Sequence, residues 1–167
     1  MKLTYEIDPK LKITDSTMLR EYVYGNNAEL TMVGPAGTAH TYYIAQPRNA
    51  SDFPPDIRFV YVFHDDTKFY LGMIEDGRFR CTKNSRFDES CETVKGAFYI
   101  IKLMNDQQLL DRTAMRLYQS GKCARCGRPI DSEYGLLRGF GKSCWQKHQI
   151  QRLAEEKLNA YLRPAAI

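Results

Sequence analysis

The chain has 167 residues, with 24 Lys and Arg against 20 Asp and Glu, a formal net charge of +4, five cysteines and 12% aromatic residues. That length gives one domain with an appendage, or two small units, and the aromatic content argues against disorder. No apolar run reaches the roughly 18–20 residues of a membrane span, and the charged residues 1–12 lack the apolar segment of a signal peptide; the sequence reads as cytoplasmic, with thiols serving as metal ligands rather than disulfides.

In chain order, residues 1–12 form an irregular or edge segment. Asp15 or Ser16 caps a short helix over 18–24 that Gly25 ends. Strands are predicted over 29–33 and 40–45, joined by Gly34-Pro-Ala-Gly37, and a proline-containing loop follows over 46–55. Three more strands cover 57–63, 68–75 and 78–83. His64-Asp-Asp-Thr67 turns the first into the second, and Asp76-Gly77 is a two-residue hairpin signal between the second and third. Ser90 caps a helix over 91–104 whose Val94, Ala97, Phe98, Ile101 and Met104 make one stripe to cover the sheet. A second helix is expected over 106–118, and Ser120-Gly121 breaks it. A last helix runs from Cys144 to about Leu162, with an apolar stripe of Ile150, Leu153, Ala154, Leu158, Tyr161 and Leu162, and Pro164 ends it. The predicted class is α+β: an antiparallel sheet packed by helices, then a treble-clef-like zinc module and a C-terminal helix. The expected divisions are 1–119, 120–148 and 149–167.

The most specific stretch lies near the C-terminus. Cys123 and Cys126 have the C-x2-C spacing that lets one tight turn aim two sulfurs at one ion, and Gly127 supplies a positive φ after it. Gly139 and Gly141 turn the chain in, Ser143 caps a helix, and Cys144 and His148 share one helical face at i and i+4. Cys123, Cys126, Cys144 and His148 together form a Cys3His set that suits one tetrahedral Zn2+. Four protein ligands leave no open position, so the site is expected to be structural; a module of this size needs the metal to fold. Cys81 and Cys91 remain as core thiols.

These residues carry a resemblance. Gly121-Lys-Cys-Ala-Arg-Cys-Gly-Arg-Pro-Ile130, a loop, and Gly139-Phe-Gly-Lys-Ser-Cys144 resemble a zinc module of uncharacterised bacteriophage and prophage proteins. The Thr- and Tyr-containing residues 30–44 are similar to the N-terminal strands of that family. The resemblance implies a phage or mobile-element origin and carries no activity with it.

Charge points to a partner. Between Gly121 and His148, six cations (Lys122, Arg125, Arg128, Arg138, Lys142 and Lys147) stand against Asp131 and Glu133, so the net +4 of the chain resides there. Arg125 lies inside the knuckle, Arg128 just beyond it, and Lys142 and Lys147 flank a helix start whose N–H groups also favour anions. The reading is a non-catalytic nucleic-acid-binding protein contacting phosphate through Arg125, Arg128, Arg138, Lys142 and Lys147. The alternative is a protein-binding antagonist of a host defence system, such as a nuclease or CRISPR effector inhibitor, by analogy with phage origin. A homodimer through the C-terminal helix is a further expectation. Asp65 and Asp66 give only a weak enzyme reading, better explained as a polar turn. Phe140 and Trp145 pack the module onto its neighbours or stack on bases, and Tyr42, Tyr43 and Tyr61 fit either a sheet core or a contact surface.

Overall fold

A computed structural model describes residues 7–163, so the start of the first segment and the helix stop at Pro164 lie outside the described residues. Six antiparallel strands make one curled sheet, in the order β5-β4-β3-β2-β1-β6. The strands are β1 (Ala28–Val33), β2 (Ala39–Ala45), β3 (Arg58–His64), β4 (Thr67–Glu75), β5 (Arg78–Arg80) and β6 (Arg116–Gln119). The helices are α1 (Ser16–Val23), α2 (Glu92–Asn105), α3 (Gln107–Arg112), α4 (Glu133–Arg138) and α5 (Lys142–Leu162). None of the described helices is long and apolar enough to cross a membrane.

The period-2 rule decides which side of the sheet is core. Leu30 and Met32 on β1, Tyr42 and Ile44 on β2, and Val60 and Val62 on β3 point to one face and join Leu19, Tyr22, Val94, Ala97 and Ile100 of α1 and α2 in a single cluster. The buried stripe of α2 is Val94, Ala97, Ile100, Leu103 and Met104, so the expected Phe98 and Ile101 are only half-buried at its margin; its N-cap is Cys91, and Ser90 instead bonds Asp88. On the other face the register places Thr31 beside Thr41, Tyr43 beside Tyr61, and Tyr61 beside Tyr70. Those rings are half-buried.

Three expectations are corrected. The predicted second helix ends after one and a half turns at Arg112, and residues 116–119 form β6. Leu117 and Tyr118 are buried by pairing with Met32 and Thr31 of β1, a partnership worth more to a short apolar segment than an isolated helical turn. The division at 119/120 is crossed by the core: Cys123, Ala124 and Phe140 belong to the same cluster as Leu19 and Tyr22, because the small knuckle has no interior of its own. The division at 148/149 falls inside α5, which starts at Lys142 with Gly141 as its N-cap, so Ser143 lies within the helix.

The seating of α5 inverts the usual pattern. Its ionic side faces inward: Glu155 meets Arg58, Arg152 lies over the Tyr24 ring, and Arg163 bonds Asp56 and Glu75. Ile150, Leu153, Leu158, Tyr161 and Leu162 are exposed, Ile150 by 69% and Tyr161 by 82%. The fully buried Arg58 guanidinium donates to the carbonyls of Pro55 (2.8 Å), Ile57 (3.0 Å) and Tyr24 (3.1 Å), and to Glu155 Oε2 (3.4 Å). Burial draws its pKa down, and Glu155 opposes that.

Candidate metal centre and basic surface

The knuckle is a small antiparallel bridge. Lys122 pairs with Pro129, Cys123 N donates to Arg128 O (2.8 Å), and Gly127 N donates to Cys123 O (2.9 Å). Gly127 has φ 74°, as the spacing anticipates. The turn is fastened to the rest of the fold by Ala124, whose N donates to Gly139 O (2.9 Å) and whose O accepts from Asn27 N (2.6 Å). Asn27 Nδ2 also donates to Arg125 O (3.1 Å), and Tyr43 Oη donates to Asn27 Oδ1 (2.7 Å).

Ser132 caps α4, and Gly139 ends it in the left-handed region at φ 76°. A Cβ on Gly139 would lie 2.4 Å from Cδ2 of the buried Tyr22, so the chain passes there only without a side chain. The reversal delivers Cys144 in the first turn of α5 to the knuckle. The Sγ atoms of Cys123, Cys126 and Cys144 lie within 4.8 Å of one another. Cys123 is buried, Cys144 half-buried and Cys126 exposed.

The donor chemistry fits a thiophilic cation. Burial pushes the Cys123 thiol up, but backbone N–H groups of Cys126, Gly141 and Arg125 donate to it and hold it below the ordinary thiol range. Cys144 is pushed up to about 11, first by burial and then by the neighbouring Cys126 and Cys123. Three sulfurs this close do not all ionise unless a cation sits among them. Three cysteines in this arrangement can hold a metal ion.

His148 stands apart from this group among the described residues. It is buried, and its Nε2 lies 2.6 Å from Glu21 Oε2 on α1. Its ring stacks on Phe140 with centroids 4.5 Å apart and lies 5.9 Å from that of Trp145. The i, i+4 spacing puts it on the inward side of α5, where a carboxylate 127 positions earlier in the chain partners its Nε2. Burial pushes Glu21 up, yet the His148 bond and the charges of Arg152, His148 and Arg20 more than offset this and leave it below the usual carboxylate value.

The predicted cations divide into two sets. Arg128, Lys142 and Lys147 are exposed, and none of them forms an ion pair among the described residues. Arg125 is half-buried and its Nη1 has no hydrogen-bond partner. Arg138 is engaged within the module: it bonds Tyr134 Oη, and its Cζ lies 4.0 Å from the Tyr134 centroid and 5.2 Å from that of Trp145. Phe140 is core, whereas Trp145 is half-buried beside it. Asp65 sits in the β3–β4 turn at φ 53°, the polar turn expected there.

Sequence reasoning missed Glu21 and Asn27. Asn27 is 98 positions from Arg125, and no spacing rule links them. No family model, curated protein or solved structure matches the chain.

Proposed function

We propose that this is a zinc-stabilised, non-catalytic nucleic-acid-binding protein whose knuckle and first turns of α5 form a treble-clef-like module. The three-cysteine group supports zinc, and thiolate ligands in a knuckle favour that ion over oxygen-loving cations. Cys123, Cys126 and Cys144 would hold it; the charge it supplies keeps the three sulfurs ionised and ties the hairpin to α5. The observation that carries the nucleic-acid reading is the set of exposed cations without ion-pair partners, Arg128, Lys142 and Lys147, around this rigid point. Arg125 adjoins them with an unpartnered nitrogen. Such groups neutralise phosphates and release counterions.

The test is filter binding of single- and double-stranded DNA and RNA at several salt concentrations, with elemental analysis of the same sample. One zinc per chain is expected, together with an affinity that falls with salt. Replacing Arg125 and Arg128 by Ala lowers the slope of log K against log salt by about 0.7–0.9 per lost phosphate contact. Dissociation constants weaker than about 10⁻⁴ M for all four nucleic acids at physiological salt would discard the reading and leave a protein partner as the alternative.

A further inference from the structure

The face of the sheet turned away from α1 and α2 is a ladder of aromatic rings. Tyr61 is in contact with Tyr43 (centroids 6.2 Å apart) and Tyr70 (5.7 Å), and Phe59 continues the row from Tyr70 (5.4 Å). These side chains are half-buried, while Tyr42, Val60 and Val62 on the same strands but the opposite face are buried. The ring face therefore remains partly open to solvent.

The face carries both signs of charge: Lys68 stands over the rings, Arg80 is paired with Glu75 (3.3 Å), and Glu29 lies beside Tyr43 in the register. Lys68 Nζ lies 4.5 Å from the Tyr43 centroid and 5.3 Å from that of Tyr61. The register puts Arg80 on the side of Phe59, since each pairs with Met73. The same face meets the knuckle, because Tyr43 Oη bonds Asn27 and Asn27 bonds Arg125 O. Open rings, and cations supplied by Lys68 above them and by the adjoining knuckle, are the two components that hold an unpaired strand: bases stack on the rings and phosphates meet the cations.

We propose that this face is a stacking platform for single-stranded nucleic acid, with Tyr61 and Tyr70 as its central rings and Lys68 and the knuckle cations receiving the backbone. The proposal rests on the nucleic-acid reading above and names its substrate class. A duplex hides its base faces, so single strands are preferred. The ammonium of Lys68, on a flexible stem, exchanges a ring for a phosphate as a base arrives.

The probe is a 16-nucleotide oligothymidylate, compared with a duplex of the same length, on the zinc-loaded full chain. Tyr61→Leu with Tyr70→Leu keeps apolar bulk on the face and removes two π surfaces. The pair is expected to weaken single-strand binding by about five- to 150-fold per stacked base, with duplex affinity, the salt slope and zinc content unchanged. Tyr61→Trp restores stacking and is expected to bind at least as tightly as wild type, with its added indole fluorescence quenched by the strand. Equal affinity for strand and duplex, or a leucine pair within twofold of wild type, overturns the platform while leaving the phosphate reading intact. Absence of binding to any nucleic acid removes both. A dimer that the leucine pair dissociates, with strand affinity unchanged, assigns the face to self-association and also overturns the platform.

The exposed side of α5 carries a second, independent inference. Lys147, Ile150, Ala154, Leu158 and Tyr161 lie at −7, −4, 0, +4 and +7 about Ala154, so the row reads the same in both directions. All five are exposed. We infer that α5 pairs antiparallel with α5 of a second copy about an axis at Ala154. Ile150 then meets Leu158 of the other helix, the apolar stem of Lys147 runs along Tyr161 with its ammonium left in solvent, and the small Ala154 lets the backbones approach. One helix pair falls short of the roughly 800 Å² per partner of a standard interface, so a weak, concentration-dependent dimer is expected. Sedimentation over micromolar to about 100 µM chain reads it. Ala154→Glu, an exposed substitution, is expected to give a folded monomer. A wild type monomeric throughout, or an Ala154→Glu chain that still dimerises, refutes the pairing.

Discussion

Gly139→Ala tests whether the module is fastened to the sheet domain by close packing. The residue has φ 76°, and a new Cβ would meet Tyr22 Cδ2 at 2.4 Å and Cε2 at 2.9 Å. Tyr22 is fully buried, and its hydroxyl is pinned by Glu29 O and Ser120 Oγ, both at 3.2 Å, so its ring has no free direction of retreat. Left-handed backbone costs an L-residue about 1–2 kcal/mol, and forcing a methyl into a packed site adds about 1–3 kcal/mol. The reduced entropy of the unfolded chain returns about 0.4–1 kcal/mol. A net loss of about 2–4 kcal/mol is expected in urea unfolding of the zinc-loaded chain. Gly77→Ala is the control: its φ is 72°, but nothing lies within 4 Å of the new Cβ, so only the conformational cost of about 1 kcal/mol applies. If the two variants lose the same stability to within about 0.5 kcal/mol, the claim that Gly139 is needed for its contact with Tyr22 is wrong.

Glu155→Ala leaves the Arg58 guanidinium buried with only carbonyl partners and is expected to cost about 3–5 kcal/mol, read by denaturant unfolding. An Arg58→Met, Glu155→Leu double variant should lose less than the two single variants together. Cys144→Ser is expected to abolish stoichiometric zinc in elemental analysis, whereas His148→Gln retains the metal and loses about 1–3 kcal/mol through the Glu21 bond; loss of zinc from His148→Gln would restore the four-ligand set. The carboxyl of Glu21 is held below its ordinary value, so its contribution is present above an unfolded pKa of about 4.3 and disappears as pH falls through the lower folded value. Glu21→Gln should therefore narrow its stability gap from wild type on acidification across that window, and a gap independent of pH would exclude the linkage.

The elements legible in the sequence were those that signal locally. Asp76-Gly77 announces a hairpin by its own backbone preferences, and both residues do have positive φ. The three cysteines are visible from C-x2-C and a glycine-flanked helix start. What escaped depends on partners far along the chain. Leu109, Leu110, Met115 and Leu117 have helical spacing, but residues 116–119 are claimed by the edge of β1. The apolar residues of α5 suggested which side would be buried, whereas Arg58, Glu21 and Asp56 draw in the opposite side. The Glu21 partner of His148 Nε2 is likewise one that no pattern within α5 announces.

The Arg58–Glu155 contact also imposes an order of events during synthesis. Its two members are 97 residues apart, and at about 5–20 residues per second the ribosome takes roughly 5–20 s to reach the second after the first. Until then β3 carries a cation whose burial lacks its carboxylate. Asp56 waits still longer, since its partner Arg163 is 107 positions away. The Arg58 guanidinium thus lacks its carboxylate partner until the last helix emerges, and a chain truncated before Glu155 leaves it with the carbonyls of Pro55, Ile57 and Tyr24 alone.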